Sequence, residues 1–122
     1  MFYKDLDVYK KSVDFVVDIY RITASFPDNE RFGLVSQLRR AAVSIPSNHA
    51  EGSGRNGRKE LINFLLIARG SLFEVGTQLE ISFKLGFIDK EDYDKLEERR
   101  ETIQLMMNAL IASLRKKGEE NV

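Results

Sequence analysis

Residues 58–86 read RKELINFLLIARGSLFEVGTQLEISFKLG. Within them Leu61, Leu65, Ala68, Leu72, Val75, Leu79 and Phe83 recur at steps of three and four. That is the period of one helical face, not the alternation of a strand. No proline interrupts the run, and Gly86 stands where a C-terminal cap belongs, so the spacing predicts a helix from about Arg58 to Leu85. The next segment repeats the pattern. Asp89 is a good N-cap with Asp92 three residues on, and Tyr93, Leu96, Arg100, Ile103, Met107, Leu110 and Leu114 hold a heptad line interrupted only by Arg100.

Upstream, Leu34, Leu38, Ala41, Ile45 and His49 share one face of a helix running from near Glu30 to the glycines that begin at Gly52. Pro46 falls inside it and is expected to kink it without ending it, because apolar spacing continues from Ile45 to His49. The first helix is predicted from about Leu6 to Ser25, with Tyr9, Val13, Val16, Tyr20 and Ala24 as its core stripe, ending before Phe26-Pro27-Asp28-Asn29. Four long helices joined by short connections favour antiparallel neighbours. The expected architecture is all-α, an antiparallel up-down-up-down four-helix bundle, with residues 1–122 as a single domain.

The first helix carries a second apolar stripe at Val8, Phe15, Ile19, Ile22 and Phe26, and the third carries Ile62, Leu66 and Phe73 off its main line. Two stripes cover more circumference than one bundle core needs. Phe15, Ile19, Ile62, Leu66 and Phe73 are therefore the expected seam of a homo-oligomer, the alternative being that helix bending and the kink of the second helix let the monomer cover them.

The 122 residues include no Cys and one His, which removes disulfides, thiolate metal sites and multi-His centres. No Ser-His-Asp spacing, Walker motif or nucleophile elbow occurs, so neither catalysis nor a cofactor or metal is expected. The longest apolar run, Phe64 to Ala68, is far too short to span a membrane, and the charged opening Met1 to Asp7 does not suit a signal peptide, so the cytoplasm is the expected compartment.

Charge balances overall at 19 basic and 19 acidic residues, but it is unevenly spread. Residues 31–70 hold seven basic side chains against two acidic ones, while both flanking segments are net acidic. Arg39 and Arg40 point away from the core stripe, on the side of Ser36, Ser44, Ser47 and Glu51. This surface reads either as a solvated face with local ion pairs or as one that grips phosphates with guanidinium groups. Gly52-Ser53-Gly54-Arg55-Asn56-Gly57 matches G-x-G-x-x-G, but a helix precedes it and no strand delivers it, so a dinucleotide fingerprint is excluded. It reads as a helix-to-helix connection, or as a phosphate cradle formed with Arg55, Arg58 and Lys59. His49, on the core stripe, is expected to be a hydrogen-bonded core or interface residue.

The run Gln37-Leu38-Arg39-Arg40-Ala41-Ala42-Val43-Ser44-Ile45-Pro46, continued by Asn48, Ala50, Glu51 and Gly52, resembles the signature of the bacterial four-helix-bundle proteins encoded in 23S rRNA intervening sequences. Arg58, Glu60, Phe64, Leu65, Ala68, Gly70, Ser71, Glu74, Thr77, Gln78, Leu79 and Leu85-Gly86 resemble that family's second block. His49 stands where the family usually has an aliphatic residue. The family is also similar to the accessory variability determinant of diversity-generating retroelements. The resemblance implies a ring-shaped homopentamer without known catalysis, able to bind nucleic acid. The expectation is weak, sequence-tolerant binding of RNA or DNA, with Arg39, Arg40, Arg55, Arg58 and Lys59 on phosphates and no side chain reading bases. An oligomeric module whose partner is another protein is the alternative.

Overall fold

The computed structural model describes residues 2–120. Among them are α1 (Asp7–Thr23), α2 (Leu34–Ser53), α3 (Arg58–Lys84) and α4 (Lys90–Glu120), with 3-10 turns at Tyr3–Asp5 and Asp28–Glu30 and no strand. Cross-helix contacts fix the direction of each helix. Thr23 meets Arg39 while Tyr9 packs on His49, so α1 and α2 run antiparallel. Gln37 reaches Gln78 and Ser44 bonds to Ser71 at 2.8 Å, which sets α2 against α3. Arg69 donates to Asn108 while Phe83 stacks on Tyr93, which sets α3 against α4. Asp18 and Arg99 close the ring between α1 and α4. Among the described residues the backbones of the diagonal pairs, α1 with α3 and α2 with α4, do not approach closely, so the four form an antiparallel up-down-up-down bundle.

Capping explains where the helices stop. Gly86, at φ +82°, ends α3; its N–H donates to the Phe83 carbonyl and the Phe87 N–H to the Ser82 carbonyl, the paired bonds of a Schellman motif. Asp89 then accepts the Asp92 N–H at 2.8 Å and opens α4. The second helix begins at Leu34, later than its sequence suggests. Residues 28–30 form a tight turn instead, and the Glu30 carboxylate accepts the Leu34 N–H, capping the helix from outside. From there α2 runs through Pro46, itself buried, to Ser53.

The core consists of Leu38, Ala41, Ala42 and Ile45 from α2, Leu65, Leu72, Val75 and Leu79 from α3, and Leu96, Ile103, Met107 and Ile111 from α4. Burying each large side chain contributes about 1.5–3 kcal/mol. The first helix turns its other stripe inward. Val8, Phe15 and Ile19 are buried, with Phe26 just beyond the helix, whereas Val13 and Tyr20 face outward. Phe and Ile gain more from leaving water than Val or Tyr, whose hydroxyl resists burial. Ser12 and Thr23 flank the buried stripe harmlessly because their hydroxyls bond to the Val8 and Ile19 carbonyls at 2.7 Å. Phe15 and Ile19 are thus sealed inside the protomer, and the expectation that they form an oligomer seam is corrected. Ile62 and Leu66 pack partly on their own core, and Phe73 is 52% exposed.

Arg100 occupies its place in the α4 line. It is buried, and its guanidinium lies over Gly76, where an added Cβ would stand 2.9 Å from the guanidinium carbon. Glu97 grips it at 2.8 and 2.9 Å, and Gln104 accepts a third bond. The hydrogen bonds to Glu97 chiefly raise its pKa, so it stays charged inside the bundle.

Candidate nucleic-acid interface

On the outer side of α2, Arg40 is exposed while Leu38, Ala41 and Ala42 face the core. Beside it runs a groove of about 720 Å³, bounded by Tyr20 of α1, by Arg31 and Phe32 of the preceding turn, and by Ser36, Arg39, Arg40, Val43, Ser47 and Asn48 of α2. Three cations line it and no carboxylate does. Arg39 is not free within it. Its Nε donates to Thr23 Oγ1 at 2.9 Å, its Nη2 donates to the Tyr20 carbonyl, and its guanidinium covers the Tyr20 ring at 4.4 Å. A cation there also suits the negative end of the α1 dipole.

The remaining predicted phosphate contacts lie elsewhere. Arg55 lies past the end of α2, 15 positions beyond Arg40, and the 13 residue steps from Arg40 to Ser53 alone span about 20 Å at 1.5 Å per residue. It is paired with Glu51, which raises its pKa, chiefly through their hydrogen bond. Arg58 is half-buried beside Gly118, and Lys59 is exposed. The five basic residues therefore divide between two places and do not form one patch. The Gly-rich stretch is a tight connection, with Gly57 at φ +101° and Gly52 pressed into the helix crossing, where an added Cβ would lie 2.8 Å from that of Phe64. Its Asn56 N–H already donates to the Glu60 carboxylate, so the chain's own carboxylate occupies the expected phosphate cradle.

A second cationic hollow escaped the sequence reading. Arg69, Asn108, Ile111, Ala112, Arg115 and Lys116 bound about 540 Å³ between α3 and α4, again without a carboxylate among the described residues, and Asn108 fixes Arg69 through a bond of 3.1 Å. The hollow between α1 and α4 differs, because Lys11, Lys95 and Arg99 there face Asp14, Asp18 and Glu98. Its charges neutralise one another.

His49 is buried against the rings of Tyr9 and Tyr3, with centroids 5.8 and 6.1 Å away. Its Nδ1 has no hydrogen-bond partner, contrary to the expectation of a bonded histidine, and burial lowers its pKa so that it is neutral at pH 7. Among the described residues no helix is long and apolar enough to cross a membrane.

The fold and these hollows define a small all-α bundle with two cationic hollows on its surface. The chain matches the 23S rRNA-intervening sequence protein family over residues 4–109 and belongs to it. It is also similar to a crystal structure of a protein of unknown function from the S23 ribosomal protein family of Bacteroides thetaiotaomicron VPI-5482, at 26% identity and a TM-score of 0.77, covering 85% of this chain and 97% of that one. No curated protein matches it.

Proposed function

We propose that the protein is a non-catalytic, oligomeric bundle of the cytoplasm that binds nucleic-acid backbones through its basic surface. The observation that carries this reading is the segregation of charge. The groove beside α2 and the hollow between α3 and α4 each gather three cations without a carboxylate among the described residues, although the whole chain is neutral. Uncompensated guanidinium groups attract phosphates and release their counterions. The family's association with 23S rRNA intervening sequences points the same way.

The protein is expected to retard RNA or DNA at low salt, with log affinity falling linearly against log salt concentration. Arg40→Gln should lower that slope by about one, alike for all sequences. Arg40 is preferred to Arg39 for this test because Arg39 also ties α1 to α2. If wild-type protein bound neither nucleic acid at low salt, the interaction-module reading would replace this one.

Assembly rests on apolar side chains left outside: Leu105 is 69% exposed, and Ile67 and Phe73 are about half exposed. The family resemblance points to a pentamer. Light scattering is expected to give about five times the 14.0 kDa protomer mass, and Phe73→Glu to lower it, since a charge buried unpaired in a seam costs several kcal/mol. A wild-type mass near 14.0 kDa would remove the proposal.

A further inference from the structure

Phe32 is 89% exposed, although a ring of that size is ordinarily drawn into a core or an interface. It stands at the mouth of the groove beside α2, with the Arg31 guanidinium 5.6 Å from its centroid. Across the groove Tyr20 is 43% exposed, and Arg39 covers its ring. The bonds from Arg39 to Thr23 and to the Tyr20 carbonyl fix that stack in place. The same groove thus holds two arginine–aromatic pairs, with exposed Arg40 on its α2 wall.

Resting on the nucleic-acid reading above, we infer that this groove is a track for single-stranded nucleic acid. Bases stack on Phe32 and on the Arg39–Tyr20 pair, while Arg31 and Arg40 hold the phosphates between them. Two observations select this occupant. Three cations without a carboxylate call for a polyanion, and they repel a second copy of this same face. The open aromatic face calls for a flat partner, which unstacked bases supply and a duplex, whose base faces are covered, does not. Stacking tolerates any base, so the track has no sequence preference of its own.

The test is fluorescence anisotropy of a labelled oligouridylate and of a labelled RNA duplex of equal length, both at low salt. Phe32→Ala is expected to weaken oligouridylate binding about tenfold while leaving duplex binding and the salt slope unchanged. Phe32→Trp should keep the wild-type affinity. Phe32 is exposed, so neither change disturbs the core. Equal binding of both probes by Phe32→Ala and wild type, or an equal loss on both, would overturn the inference and leave backbone binding standing. So would a lowered oligomer mass with affinity unchanged, which would assign the groove to a second copy. Absence of wild-type binding to either probe would overturn both readings.

Discussion

Glu97→Ala is expected to lower the stability of the bundle by about 2–3 kcal/mol, with a fall in Tm of about 10 °C. Arg100 lies buried in the α4 line, and the Glu97 carboxylate takes two of its N–H groups, leaving Gln104 and the Leu72 carbonyl, at 3.4 Å, for the rest. Removing only the acid strands a charge that cannot titrate away, because arginine stays protonated at every pH the protein meets. The cost falls below that of a wholly enclosed pair because the Glu97 side chain keeps 20% of its surface. Arg100→Met together with Glu97→Ala should recover most of the loss, since the unpaired charge goes with its partner. Gly76 supplies an internal control. Gly76→Ala should destabilise wild type, where its Cβ meets the guanidinium, and stabilise the double variant, where it fills the space left behind. Urea midpoints at one protein concentration would measure wild type and the four variants. A double variant no more stable than Glu97→Ala would show that the unpaired charge is not the cause.

The architecture was legible because two signals agreed over long stretches. In α3 and α4 the apolar period and the caps at Gly86 and Asp89 point to the same helices, and both caps form. The first helix was misread because both of its stripes are apolar. Periodicity identifies candidate faces, but choosing between them depends on how much surface Phe15 and Ile19 bury against neighbours the sequence does not display. The interface was harder to read for a related reason. Counting charge along the chain placed Arg115 and Lys116 in an acidic segment, whereas folding sets them beside Arg69 in one hollow. Conversely, Arg55 counted as a free cation until the helix brought Glu51 to it. Phe32 left a signal that went unused: an aromatic between Arg31 and Gly33, in a turn, has no apolar stripe to join.

Stability is also expected to fall in mild acid through His49, by an amount that His49→Leu removes. Burial holds the folded imidazole below its ordinary value of 6.5, and the nearest rings, Tyr3 and Tyr9, bring no countercharge to oppose the shift. The unfolded chain therefore binds the proton first. Stability from neutral His49 is complete above about pH 6.5 and declines as pH falls below it, by up to about 1.4 kcal/mol per pH unit until the folded pKa is reached. At pH 7.5 His49→Leu should gain about 1 kcal/mol, because the change removes a buried Nδ1 that has no partner and leaves an aliphatic side chain in its place. By pH 5 that advantage should be wider than at pH 7.5, because the unfolded chain is protonated there while burial resists the proton in the folded one. Carboxylates contribute to acid lability in both proteins and cancel in the difference. Urea midpoints at the two pH values measure it, and a difference that stayed constant between them would show that His49 takes its proton in the folded bundle as readily as in the unfolded chain.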